Sequence, residues 1–168
     1  MTERTSTSIR PMTPGEEETV CRLAASVCVQ FVAPLYTDEG VAEFLRTLDP
    51  QRMAERSRSG HLVLLAEREG QLVGLIEVRA LNHISLLFVA RGAQCQGVAR
   101  RLLNEAVRIC REHVPGLREI SVHASPNAVG AYERLGFRVE GSEQLEHGMR
   151  YVPLTLRLGA GDKRHAGP

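Results

Sequence analysis

HISLLFVARGAQCQGVARRLL, from His83 to Leu103, reads as an apolar strand, a polar glycine-containing loop and an amphipathic helix. The loop carries Gln94, Cys95, Gln96, Gly97, Val98 and Ala99, of the form Q/R-x-x-G-x-G/A. The first four amides of a helix have no intrahelical partner and sit at the positive end of its dipole. Such an end suits a phosphate. Gly97 lets backbone approach a ligand with no side chain between, and Ala99 nearly so. No acidic residue occurs from Ala90 to Asn104, whereas Arg91, Arg100 and Arg101 are cationic. The competing reading is an ordinary strand-turn-helix, whose turn needs small residues anyway. The loop is neither a G-x-x-x-x-G-K-[ST] phosphate loop nor a G-x-G-x-x-G dinucleotide fingerprint.

The whole chain bounds what this loop serves. Its 168 residues suit one domain with a core. A net charge of +1 offers no bulk field for nucleic acid or an anionic membrane. MTERTSTSIRP lacks the apolar core of a signal peptide, and no apolar run approaches spanning length, so a cytoplasmic location is expected. Cys21, Cys28, Cys95 and Cys110 form no CxxC and have no paired histidine spacing, so neither zinc nor a disulfide framework is expected.

Ser8 to Met12 suggests a short first strand. Thr13-Pro14-Gly15-Glu16 predicts a helix start with a capping box, followed by Val20, Leu23, Ala24, Val27 and Phe31 at helical spacing. A second helix opens at Thr37 with Val41, Phe44, Leu45 and Leu48 inward, and Asp49-Pro50 starts a third that runs to about Arg58. HLVLLAER, QLVGLIEVRA and HISLLFV predict three successive antiparallel strands. The helix after the loop should bury Val98, Leu102, Leu103, Ala106, Val107 and Cys110 and end near His113. Arg118 to Ala124 follows as a strand. Asn127 to Leu135 is a helix capped by Ser125, Phe137 to Glu140 a strand, and a polar loop leads to a last strand from Tyr151 to Leu158. The class is mixed α/β, a sheet covered on both faces. One domain over residues 1–158 and a disordered tail from Gly159 to Pro168 are expected.

The loop and ASPNAVGAYERLGF, with Tyr132 four residues before Gly136, together resemble the GNAT superfamily of acyl-CoA N-acyltransferases. The resemblance covers nearly the whole chain and looks closest to a bacterial subgroup. Its blocks are Asn82 to Val89, Gln94 to Ala99, Ser125 to Phe137 and Gly148 to Leu154. The chain departs from that pattern at Cys95 and Ala99, where glycine is usual, and at Arg91 and Ala93, which replace a proline and an aromatic.

The resemblance implies a mostly antiparallel sheet flanked by helices, acetyl-CoA as acyl donor, no metal, and a primary amine acceptor, small molecule or peptide. Dimers are common in the family, and a homodimer is a possibility here. The amides around Gln94, Cys95, Gln96, Gly97, Val98, Ala99 and Arg100 would hold the pyrophosphate, and Ser125 falls in the second motif beside the cofactor. An amide near Phe88, Val89 or Ala90 would polarise the thioester. Direct attack of the amine in a ternary complex makes proximity a major contribution. Tyr132 matches the family's acid for the leaving thiolate; packing beside Phe137 is its plainer role. His83 is the first candidate base; it and Val89 lie six apart on one strand, so they share a face with Ser85 and Leu87, and fastening a turn is the plainer role. His123 and Glu77 are runners-up. A two-residue turn at Ala80-Leu81 would pair Glu77 with Ile84, facing away from His83. Phe31, Tyr36, Asp38 and Glu39 are candidate acceptor contacts. The rival readings are a non-catalytic acyl-CoA-binding module on the same fold and, less well supported, a nucleotide-binding α/β protein.

Overall fold

In a computed structural model, which describes residues 6–160, the chain runs as eight strands and five helices. Strand β1 (Thr7–Pro11) precedes helices α1 (Glu17–Phe31), α2 (Asp38–Thr47) and α3 (Pro50–Arg58). Strands β2 (Leu62–Arg68), β3 (Gln71–Arg79) and β4 (His83–Val89) lead to α4 (Val98–His113). Then come β5 (Glu119–Ala124), α5 (Val129–Arg134), β6 (Arg138–Val139), β7 (Gln144–Glu146) and β8 (Met149–Arg157). The sheet order is β1-β2-β3-β4-β5-β8-β6, with β7 on β8, and every pairing is antiparallel except β4 with β5. This is the mixed, mostly antiparallel sheet expected. Most of the tail assigned to disorder, residues 161–168, lies outside the described residues.

Each face of the sheet buries its own core. One holds Leu64, Ile76, Ile84, Leu102, Leu103, Ala106, Cys110, Ile120, Val122 and Leu154, under α4. The other holds Val20, Cys21, Ala24, Met53, Leu65, Leu75 and Leu86, under α1 and α3. Helix α4 carries its apolar residues at the three- and four-residue spacing that makes one buried stripe, as its sequence predicts.

Local details differ from the sequence reading. Helix α1 starts at Glu17, because Gly15 at φ 100° breaks the turn that Thr13 and Pro14 would have begun. The Glu16 carboxylate still accepts from the Thr13 amide (2.7 Å), half of the expected capping box, and also binds Arg10 (2.6 Å). Thr37 and Asp49 cap α2 and α3 as read, accepting from Gly40 and Arg52. Leu45, expected inward, is exposed. The segment taken for a polar loop contains β7, which turns through His147 (φ 49°) and Gly148 (φ 77°) into β8. The short strand expected from Phe137 starts at Arg138, and Phe137 is core. Helix α5 starts at Val129, after a 3-10 turn over Pro126–Ala128.

Two irregularities open the sheet. In the β3–β4 ladder Glu77 opposes Leu86 while Val78 opposes Ile84, so Ser85 is an extra residue, a bulge. The expected Glu77–Ile84 pairing is therefore wrong. So is the single face shared by His83, Ser85, Leu87 and Val89. Ile84, Leu87 and Val89 pack under α4, while Leu86 and Phe88 join the opposite core. The second irregularity is that β4 and β5 pair only at His83–Ser121 and Ile84–Val122, then separate.

Candidate active site

The separation leaves a gap between β4 and β5, and ladder parity shows which backbone groups face it. Ala90 donates its amide to the Val73 carbonyl of the neighbouring strand (2.8 Å). Antiparallel partners alternate between hydrogen-bonded and non-bonded pairs. Phe88 opposite Leu75 and Leu86 opposite Glu77 are then engaged with β3, whereas Leu87 and Val89 point their amides away from it, into the gap. Among the three amides suggested by sequence, those of Phe88 and Ala90 are committed to the sheet and Val89 alone is free for a ligand. Leu87 joins it, a residue that sequence reading missed because the hydrogen-bonding parity of the β3–β4 pair leaves no mark in the composition.

The glycine loop sits at the mouth of this gap. A 3-10 turn over Arg91–Ala93 carries the chain from β4, and buried Ala93 and Val98 anchor its ends. Gln94 donates its side-chain amide to the Val89 carbonyl (3.0 Å), locking the loop to the strand. Gln96 donates to the Gly92 carbonyl (3.0 Å) and accepts from Arg68 of β2 (2.6 Å), whose guanidinium also binds Thr7 (3.1 Å). Gly97 is the residue before α4 and has φ 81°, a conformation that glycine adopts without strain. A Cβ there would meet nothing within 4 Å, so the backbone lies open. The amides of Val98, Ala99 and Arg100 follow in the first turn. Cys95, exposed, takes a left-handed φ of 58°, a conformation that costs an L-residue strain that glycine would not carry. The Arg100 guanidinium is turned to the Arg134 carbonyl (2.7 Å), tying α4 to the end of α5; only its amide is left for an anion.

Tyr132 stands on α5, buried, with its ring edge-on to Phe137 at 5.3 Å. Both roles considered from sequence are thus compatible: the ring packs, and the hydroxyl makes no side-chain hydrogen bond among the described residues. Burial pushes its pKa upward, so it carries its proton at neutral pH. Ser125 does not cap a helix with its side chain; its hydroxyl donates to Asn127 (2.7 Å). Asn127 in turn donates to the Phe31 carbonyl at the end of α1, a link invisible in the sequence because the two residues are far apart in the chain.

On the face opposite α4, the gap is flanked by aromatic rings. His83 Nδ1 lies 2.7 Å from Ser121 Oγ, and its ring meets His123 edge-on at 4.9 Å. His123 stacks on Tyr151 at 4.3 Å, and Tyr151 donates to Gln144 (3.0 Å) and Glu146 (3.3 Å). Burial, reinforced by Arg79 and His123, pulls the His83 pKa down to about 4. Burial also lowers that of His123, against the opposing charge of Glu146. Both rings are therefore neutral at pH 7. The α2 side of the same face presents Tyr36 against Phe44 (6.3 Å) and Phe44 against Phe88 (6.1 Å). Helix α2 is clasped to the β7–β8 turn: Thr37 donates its amide to the Gly148 carbonyl (3.1 Å), and Gly40 fits there because a Cβ would stand 2.1 Å from that oxygen. Phe31, Asp38 and Glu39, named from sequence as acceptor contacts, are all exposed.

Glu77, the other base considered, is elsewhere. It is fully buried, held by Arg56 at 2.7 and 3.2 Å and by His61 at 2.8 Å. Arg56 also binds the Thr47 carbonyl, so the cluster fastens the end of α2 to α3 and β3. A groove of about 640 Å³ lies beside the C-terminal half of α4, lined in part by Leu103, Val107, Leu135, Leu156 and Leu158, and none of the candidate site residues lines it. Among the described residues no helix is long and apolar enough to cross a membrane.

Comparison with solved structures supports this architecture. A GCN5-related N-acetyltransferase from Rhodopseudomonas palustris superposes with a TM-score of 0.78 at 22% identity, over 91% of this chain and 96% of that one. The PaiA N-acetyltransferase from Thermoplasma acidophilum, solved in complex with coenzyme A, gives 0.75 at 22% identity, over 91% and 99%. A ribosomal-protein-alanine N-acetyltransferase from Brucella melitensis gives 0.66 at 24% identity, over 90% and 99%. At these identities the likeness is one of fold. The family model described as "Acetyltransferase (GNAT) domain" matches residues 32–158. A loop, a strand gap and a sheet order of this kind, together with that match over most of the sequence, make the chain a member of the GNAT acetyltransferase family.

Proposed function

We propose that this protein is an acetyl-CoA-dependent N-acetyltransferase that acts on a primary amine by direct attack. The observation that carries the reading is the line of unpaired amides from Leu87 and Val89 in the strand gap to the open backbone at Gly97. The fit to coenzyme A rests on that geometry. Amides of the first turn of α4 and an uncrowded Gly97 suit a pyrophosphate, and the gap suits an extended arm that pairs with strand backbone. When bound, acetyl-CoA supplies a thioester-activated acetyl group.

The chain's own groups divide the remaining work. An amide of Val89 or Leu87 would hydrogen-bond the acyl oxygen where negative charge develops. Tyr132, protonated at neutral pH, would give its proton to the leaving sulfur, a contribution of about 10²–10⁴-fold. His83 is held in place by Ser121 and is neutral. With its pKa near 4 it is a weak base toward an ammonium of pKa about 10. We assign it to orienting the amine, with the proton passing onward to His123 or to solvent.

The same loop would serve a non-catalytic acyl-CoA-binding module, and Cys95 in a left-handed conformation is the feature favouring that reading. Tyr132, placed with an unengaged hydroxyl, favours the enzyme. Thermal unfolding with acetyl-CoA, ATP or NAD, followed by assay of thiol release with primary amines, tests both. Stabilisation by acetyl-CoA together with amine-dependent thiol release supports the enzyme. Stabilisation without turnover on any amine supports the module, and stabilisation by ATP or NAD instead overturns both.

A further inference from the structure

We propose that the acceptor is a monoamine carried on an aromatic body, held by ring contacts rather than by charge pairs. This rests on the acetyl-transfer reading above and specifies its second substrate.

The chain has four phenylalanines, three tyrosines and no tryptophan. Four of these seven, Tyr36, Phe44, Phe88 and Tyr151, lie on one face of the sheet beside the strand gap, each only half-buried. Two of the six histidines, His83 and His123, join them. The rings form two contact rows. Tyr36, Phe44 and Phe88 run edge to face from α2 to β4, and His83, His123 and Tyr151 run across β4, β5 and β8. The clasp between Thr37, Gly40 and Gly148 holds the two sides together at fixed spacing. A chain so poor in aromatics has gathered most of them where an acceptor would approach the gap.

The charges around this wall suit one ammonium and oppose several. Both imidazoles are neutral at pH 7, and Tyr36 and Tyr151 keep their protons, their pKa values raised chiefly by burial. Arg79 lowers the pKa of His83, so a second cationic centre beside that ring would be repelled, whereas at His123 the rim carboxylate of Glu146 outweighs Arg79. Glu146 is exposed at the rim and accepts from Tyr151. Asp38 and Glu39 are exposed on the first turn of α2, where they complement the helix dipole. Ring faces accept a single ammonium by cation–π attraction and an aromatic body by offset or edge contacts. A polyamine or a lysine-rich peptide would need carboxylates within the wall.

The test compares kcat/KM for 2-phenylethylamine, n-butylamine, spermidine and a lysine-containing peptide, each with saturating acetyl-CoA. The aromatic amine is expected to exceed the others by about tenfold or more, the size of ring contacts plus the apolar area of one phenyl group. Phe44→Leu and Tyr151→Leu keep bulk and remove a ring. Each should cut the preference for 2-phenylethylamine over n-butylamine by about tenfold and leave the KM for acetyl-CoA unchanged. Equal or better turnover of spermidine or the peptide would overturn the proposal, as would a preference insensitive to both variants. So would acetyl-CoA binding with no acetylation of the aromatic amine. Failure of acetyl-CoA to raise the unfolding temperature would instead overturn the enzyme reading itself.

Discussion

Replacing Gly97 by alanine separates the two jobs assigned to that residue. Its φ of 81° is a conformation that costs an L-residue about 1–2 kcal/mol. Alanine recovers about 0.4–1 kcal/mol by restricting the unfolded chain. A net loss of about 1 kcal/mol remains, which for a domain of this size lowers the unfolding temperature by about 2–4 °C. No packing clash adds to this, since nothing lies within 4 Å of the new Cβ. The methyl group instead occupies the space through which a pyrophosphate would approach the backbone. Losing one charge-assisted hydrogen bond removes about 1.5–3 kcal/mol of binding, about ten- to hundredfold in affinity. At acetyl-CoA equal to 100 times the wild-type Kd, the parent should gain about 2.7 kcal/mol and the variant only about 0.4–1.4. Gly92→Ala is the control: it also meets nothing within 4 Å, but its backbone is not left-handed, so both stability and the acetyl-CoA response should persist. Differential scanning fluorimetry reads all three proteins. A Gly97→Ala protein that keeps the full ligand response would refute the placement of the pyrophosphate.

Tyr132→Phe should retain the fold, because the ring contact to Phe137 survives, and should lower kcat about 10²–10⁴-fold with little change in acetyl-CoA binding, as read by thiol release and titration calorimetry. His83, with its pKa depressed from 6.5 to about 4, is uncharged in the folded protein while the unfolded chain binds its proton. Stability should therefore fall as pH drops from about 6.5 toward 4. His83→Asn should flatten that limb in urea titrations, and kcat/KM of the parent should show no inflection near pH 6.5 from this residue. Arg56→Met removes the partner of a fully buried carboxylate and should cost about 3–5 kcal/mol in chemical denaturation without altering the KM for acetyl-CoA.

The sequence exposed those features that repeat or use a special residue type. Helix α4 was readable from its apolar spacing, and α2 and α3 from Thr37 and Asp49. The β2–β3 hairpin was readable from Glu69-Gly70, both at positive φ. The catalytic candidates came from the resemblance of whole motifs, since no single residue among them is distinctive. What escaped depends on register and distance. The bulge at Ser85 arises from how two strands pair, and it moves His83 off the face of Val89, while the register set by the Ala90–Val73 bond turns the Leu87 and Val89 amides into the gap. The aromatic wall joins α2, β4, β5 and β8 from four separate parts of the chain. The β7–β8 hairpin did leave a signal, His147-Gly148 before an alternating strand, but a histidine in the left-handed region is an uncommon turn residue.

Amide hydrogen exchange with and without acetyl-CoA tests the central claim, that the ligand lies along the glycine loop and the β4–β5 gap. Leu87, Val89 and the first turn of α4 from Val98 to Arg100 should exchange rapidly in the free protein and become protected on addition of acetyl-CoA. Phe88 and Ala90, already bound to β3, should be protected throughout. Protection that appears instead around Leu103, Val107 and Leu156, or Leu87 and Val89 amides that are slow before ligand is added, would contradict the claim.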